Sequence, residues 1–338
     1  MSLTSLLKPT AALAIAIATL SILSASATLA LDCAKAATNV EREICANPRL
    51  KIADDAMAAA YSALRKRLRG NDLKMLAASQ RKWLRGREEQ PSRILDLTES
   101  RRRFLLGAPD SGKGIGERLI PIFLQKDGSP RSYDVNFELL KFAKPRSPVE
   151  KILNTAIDKI LDEADLSENL GETASEGTRN FQTASAALAF ASEKFLSLRI
   201  YSTQSFGGAQ GMRQTQAINV ELDRGTLLDI GKLFGTTGLS ILKKQCAQQL
   251  LLQKIEQLGE KYRFDDDPSY NDVAMEKALK SSANWTFWEN RAELIFNVGD
   301  IGSYREPEYL CSFTTDSLPL MAEYPPSRDD ESSDDDPI

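Results

Sequence analysis

Apolar residues recur every three or four positions through Leu50, Ala53, Met57, Ala60, Tyr61, Leu64 and Leu68, the interval that puts side chains on one face of a helix. Gly70 and Asn71 are the stop signal for that helix, and Pro48 sits near its start, where proline is tolerated. The period resumes at Leu73, Leu76, Ala77, Gln80, Trp83 and Leu84, and a third helix fits residues 92–106. Helices this short must bury their apolar stripes against one another, so residues 31–107 are predicted to form a small all-α module.

Residues 108–116 contain three further glycines, a proline and a serine and read as a linker. Beyond it the periodicity changes to short β runs mixed with helices. Strands are predicted at 119–124 and 133–142, separated by a DGSP turn, and a hairpin turns at Glu193 and Lys194. An amphipathic helix fits 147–161, the longest helix spans 239–262, and another covers 271–281. Strands at 285–289, 293–298 and 309–315 complete an α+β region over 117–325 with a mostly antiparallel sheet. Residues 326–338, with the run DDESSDDD, are an acidic tail expected to be disordered.

The first 30 residues have the layout of a secretory signal: Lys8, an apolar core over 11–23, and small residues up to Ala30. That apolar run is shorter than the roughly 20 residues needed to span a bilayer, so no membrane anchor is expected after its removal. Export gives the four cysteines a new meaning, because an even count in an oxidising compartment favours disulfides. Cys33 and Cys45 are close enough to staple a short segment. Cys246 and Cys311 are left either to pair across the second half or to remain as two buried thiols.

Histidine is absent, which removes His-dependent nucleophilic triads and His-containing zinc sites. Carboxylate-pair hydrolysis stays chemically open, but no convergent pair of acids stands out, so neither an enzyme nor a cofactor or metal is expected. Asp265, Asp266, Asp267 and Asp272 lack the spacing and glycine of a calcium loop and read as a solvated acidic loop. The charge is uneven. Residues 32–103 carry 17 Lys/Arg against 10 Asp/Glu, a net of +7, whereas residues 107–338 carry 25 against 37, a net of −12.

Cys33, Thr38, Glu41, Cys45, Leu50, Asp54, Tyr61, Gln80, Trp83, Leu84 and Arg87 together resemble the N-terminal domain of LprI-type lysozyme inhibitors. The resemblance implies a small, helical, secreted, disulfide-stapled domain over about 32–106. Trp83 and Leu84 are expected to pack inward and Arg87 to pair with Asp54 or Asp55. One departure is visible: the family's further cysteine falls where Glu88 to Gln90 stand here.

The second half, about 117–324, is similar to the C-terminal domain of the lysozyme-sensing anti-sigma factor RsiV. The matching stretches are FLSL at 195–198, GGAQG at 207–211, DRGTLLDIGKLF at 223–234 and ELIFNVGDIGSY at 293–304. Gln210 stands where that domain usually carries histidine, so no role of an imidazole carries over.

These readings lead to a non-catalytic, periplasmic or secreted protein whose partner is a lysozyme-type muramidase. The acidic second region has the field to attract a cationic enzyme, and the basic first one does not. The candidate contact loops hold Ser205, Gly207, Gly208, Gln210, Gly211 and Arg213 on one segment and Ser303 and Tyr304 on another. Glycines 207, 208 and 211 equally permit a tight loop with no contact role. The alternative partner is peptidoglycan or another anionic polymer, held by arginine clusters at 65–69 and 101–103; nucleic acid is not expected.

Overall fold

The computed structural model describes residues 31–127, 133–165, 180–205 and 211–319 of the 338-residue chain. The leader expected over 1–30 and the acidic tail over 326–338 lie outside the described residues.

Four helices open the structure. Helix α1 (Asn39–Ala46) begins with a capping box: the Thr38 hydroxyl accepts from the Glu41 N–H at 3.1 Å, and the Glu41 carboxylate accepts from the Thr38 N–H at 3.0 Å. Asn47 caps α2 (Pro48–Arg67), whose first residue is proline. Helices α3 (Gly70–Glu88) and α4 (Ile94–Leu106) follow. The break between α2 and α3 differs from the expected one. Leu68 and Arg69 are the extended residues, and Gly70, at φ +56°, starts the next helix instead of ending the previous one. The Cys33–Cys45 disulfide ties the entering chain to the last turn of α1.

The α+β region has two sheets where the sequence suggested one. The larger runs in chain order: β1 (Leu119–Asp127), β2 (Tyr133–Phe142), β3 (Asn180–Ala191), β4 (Phe195–Ser205), β5 (Met212–Glu221) and β6 (Thr226–Leu227). Every neighbouring pair is antiparallel except β2 and β3, which are parallel and joined through α5 (Pro148–Asp165). The smaller sheet contains β7 (Trp285–Phe287), β8 (Arg291–Phe296) and β9 (Tyr309–Thr314). Helices α6 (Ile230–Leu258) and α7 (Asp272–Lys280) pack against it. Helix α6 starts nine residues before the expected point because Gly235, at φ +62°, bends it without ending it. Cys246 and Cys311 form a disulfide joining α6 to β9, which settles the alternative left by the sequence.

Strand β2 shows how the two regions fit together. Val135, Phe137 and Leu139 share a core with Leu153 and Ile157 of α5. The alternate residues Asp134 and Glu138 meet Lys82 and Arg101 of the helical region. Helices α3 and α4 therefore cover one side of β1 and β2, with Ile120 and Phe123 packed into the helical core. The linker is docked along β3 beyond the end of its pairing with β2. The Asp110 and Ser111 N–H groups donate to the carbonyls of Leu188 and Ala189, and Gly114 N–H donates to Ala191. Gly112, at φ +86°, comes so close that a Cβ there would lie 2.5 Å from the Ala191 carbonyl oxygen.

Candidate functional site

Helices α1, α2 and α3, with Leu31, line an open cavity of about 260 Å³. Six of the residues that carry the family resemblance or its motif line it: Glu41, Asp54, Tyr61, Gln80, Leu84 and Arg87. At its inner end Arg87 Nη1 donates to Asp54 Oδ1 at 2.7 Å, both side chains being buried. Of the two expected partners Asp54 is the one used, since Asp55 pairs with Lys51. The guanidinium lies over the Trp83 ring, 4.9 Å from its centroid. Hydrogen bonds from the Thr38 and Ala37 N–H groups, with Arg87 and Arg42 nearby, hold the Glu41 carboxyl below its ordinary range.

The expectation for this helix face fails at Leu84. Gln80 (9% exposed) and Arg87 (4%) are buried, while Leu84, expected in the core, is 38% exposed at the cavity rim. Trp83 is half-buried. A polar network holds Gln80 in place. Gln80 Oε1 accepts from Arg101 Nε at 3.1 Å, Arg101 Nη2 donates to Ser79, and Arg101 Nη1 donates to Glu138 of β2 at 2.9 Å. Ser79 donates to the same carboxylate. The motif thus faces the α+β region as well as its own helices. Arg101 is buried and committed to Glu138, so it is no part of an exposed basic cluster; Arg65, Lys66, Arg67 and Arg69 remain exposed.

The described members of the second candidate set lie where β4 ends and β5 begins and in a loop that attaches to β5. Ser205 ends β4 and Gly211 precedes β5, while Gly207, Gly208 and Gln210 lie outside the described residues. Arg213 is exposed, two positions from Thr215 and on the same face of β5. Thr215 is where the other candidate segment attaches. Its N–H donates to Asn297 Oδ1 at 2.6 Å, its carbonyl accepts from Asn297 Nδ2 at 3.1 Å, and its hydroxyl donates to Glu308 at 3.0 Å. The loop from Asn297 to Glu308 is thereby fastened to β5 at both ends. It carries exposed Ser303, Arg305 and Tyr304, the last 74% exposed. Two glycines shape it. A Cβ on Gly299, at φ +87°, would lie 2.7 Å from the Tyr304 ring, and one on Gly302 would lie 2.7 Å from the Glu306 carboxylate.

Beneath this loop is a network that the sequence reading missed. Lys254 is fully buried and donates to Glu306 at 2.7 Å and to Asp267 at 3.1 Å. Tyr309 and Tyr262 donate to the same two carboxylates at 2.7 Å each, and the Ser303 N–H donates to Glu306 at 2.6 Å. Burial acts to raise both carboxyls, but these hydrogen bonds and the Lys254 charge outweigh it and leave both below their ordinary values. Burial, and then hydrogen bonding to the carboxylates, pushes the Tyr262 and Tyr309 hydroxyls well above theirs. Asp267 is therefore no member of a solvated loop. One sequence signal was present: Lys254 continues the four-residue stripe of Leu242, Cys246 and Leu250 on α6. No pattern marked Glu306.

No group of His, Cys, Asp and Glu suited to a metal occurs among the described residues, and no helix among them is long and apolar enough to cross a membrane. Among the solved structures that resemble the chain, two align over 60% of it and 93% of their own length. A DUF3298 family member from Bacteroides fragilis aligns at 14% identity with a TM-score of 0.43, and a DUF3298 family protein from Pseudomonas aeruginosa at 15% with 0.41. Likeness at that level carries no functional argument, and the similarity of the second region to RsiV gains no support from it. No curated protein matches the chain. For the helical region the comparison is specific: residues 33–107 match the family model described as Lysozyme inhibitor LprI.

Proposed function

We propose that this is a periplasmic or secreted binding protein that inhibits lysozyme-type muramidases by occupying their cleft. The observation that carries the reading is the match of residues 33–107 to the LprI lysozyme inhibitor model. The two disulfides fit an oxidising compartment. The contact itself is assigned to the α+β region. Together with the acidic tail, residues 107–338 carry a net charge of −12, which attracts a cationic enzyme at long range. At short range, the exposed Tyr304, Arg213 and Arg305 are of the residue types that dominate binding energy. The arginines suit a cleft that works through two carboxylates. The loop is held by Asn297, Glu308 and the Lys254 network, so little ordering remains to be paid on association. The similarity to RsiV agrees with this assignment.

A muramidase turbidity assay with the full chain tests the reading. The parent protein should slow clearing of the cell suspension, and Tyr304→Ala should weaken inhibition by about 2 kcal/mol, roughly 30-fold. Lack of inhibition of every lysozyme class tried would remove the function. Undiminished inhibition by Tyr304→Ala combined with Arg213→Ala would remove the assigned contact. Full-chain variants are required because separating residues 31–107 would expose Arg101 and Glu138, which now satisfy each other.

A further inference from the structure

One row of residues runs in register across five strands of the larger sheet: Phe123, Glu138, Ser185, Tyr201 and Thr215. Paired residues project from the same face of a sheet, so the row crosses a single surface. Both ends of it are covered. Phe123 packs into the helical core and Glu138 receives Arg101 and Ser79, whereas Thr215 holds Asn297 and Glu308 of the 297–308 loop. The middle is open: Ser185 is exposed and Tyr201 is 40% exposed. The adjoining row runs through Thr183 and Thr203 to the exposed Arg213. Glu138 and Thr215 are three strand spacings apart, about 14 Å at roughly 4.8 Å each. An uncovered strip of sheet is thus bounded by the helical region on one side and by the loop on the other.

Tyr201 is held firmly within that strip. Arg199 Nη1 is fixed to Glu293 at 2.8 Å, and its guanidinium lies 5.0 Å from the Tyr201 ring and 5.8 Å from that of Trp288. The Tyr201 hydroxyl makes no hydrogen bond among the described residues. A half-exposed tyrosine whose ring is already positioned loses little side-chain freedom on association, and its hydroxyl is available to a partner.

We infer that this strip is a second part of the muramidase contact, where one lip of the enzyme's cleft rests on Ser185 and Tyr201 while the 297–308 loop occupies the cleft. The inference rests on the inhibitor reading and deepens it. A protein that fills an open cleft also meets the lips of that cleft, and the strip is uncovered surface beside the loop, continuous with Arg213 through Thr203. It gives the helical region a part in binding, as the far boundary of the strip, fastened there by Arg101 to Glu138 and Lys82 to Asp134.

Inhibition constants of full-chain variants in the turbidity assay test it. Tyr201→Ala should weaken inhibition about tenfold, and Ser185→Trp, which fills the strip from an exposed position, at least as much. Gln214→Trp, exposed on the opposite face of β5, should keep the parent potency. All three should keep the parent melting temperature. Full potency in a folded Tyr201→Ala or Ser185→Trp protein, or an equal loss in Gln214→Trp, would overturn the inference and leave the inhibitor reading standing. Absence of inhibition by the parent chain would remove that reading and this inference with it.

Discussion

Arg87 of the helical region and Lys254 of the α+β region are both buried against acid, and the two arrangements differ in what is left over. Lys254 meets two carboxylates, two tyrosine hydroxyls complete those carboxylates, and the Tyr262 and Tyr309 rings lie 5.3 and 5.1 Å from the ammonium. That network is closed and takes in Glu306 and the Ser303 N–H of the 297–308 loop. Arg87 meets one carboxylate and one tryptophan ring, keeps a buried Nε without a partner, and faces a cavity. A buried charge whose partners are complete supports a scaffold, whereas one with a donor left unpaired retains part of its burial cost. The comparison sets a pocket in the helices beside a loop in the sheet region that is tied down by a completed network.

Removing each cation is the strongest way to break that comparison. Lys254→Met leaves Glu306 and Asp267 facing each other without a counter-charge, and should cost about 3–5 kcal/mol in urea unfolding of the full chain. Arg87→Met leaves one buried carboxylate, Asp54, at the cavity wall, where Lys254→Met leaves two. Its cost should stay nearer the roughly 1–3 kcal/mol of a single unsatisfied buried group. Equal losses would mean that the Arg87 site is as closed as the Lys254 site and that the contrast is wrong.

How much of this was legible in the sequence follows the same division. The helical period placed α2 and α3 to within a few residues, and the residues carrying the family resemblance do converge in space. The inward place of Gln80 and the Arg87–Asp54 pair were legible, but the exposure of Leu84 was not. Periodicity assigns Leu84 to the apolar face with Trp83, but Gln80 and Arg87 are buried in its place because Arg101 and Asp54 are there to receive them. Arg101 in turn answers to Glu138, which lies 37 positions away in sequence on β2. A one-dimensional pattern contains no such partner. The same holds for the linker, whose glycines correctly excluded a helix but gave no sign that β3 extends past β2 and offers its end for docking. The second sheet was missed because its three strands were read correctly but carry no mark of which neighbours they pair with.

The two disulfides sharpen the comparison at slightly lower cost. Cys33 and Cys45 are 12 positions apart, Cys246 and Cys311 65 apart. On chain-entropy grounds the longer loop contributes about 4 kcal/mol and the shorter about 3 kcal/mol. Replacing both cysteines by alanine in one pair at a time should therefore lower the melting temperature more for the 246–311 pair. It should also loosen α6 from β9, and with α6 the Lys254 position. If the 33–45 pair proves the costlier, the helical region depends on its staple more than its packing indicates.

Acid provides the gentlest separation of the two regions. In the folded state Glu306 and Asp267 are held below their ordinary carboxyl values of 4.5 and 3.8. The folded protein therefore binds fewer protons than the unfolded chain as pH falls through that range. Their stabilisation is complete above about pH 5 and is lost as pH drops through the depressed folded values. Glu41 is lowered as well, but by backbone hydrogen bonds of a half-exposed helix cap. Its protonation releases only the first turn of α1. Hydrogen exchange between pH 5 and 3, corrected for the intrinsic rate, should thus rise over residues 297–308 and around 264–269 while α2 and α3 keep their protection. A uniform rise across both regions would mean that acid acts on the whole fold through its net charge, and that the Lys254 network is not what holds the Tyr304 loop in place.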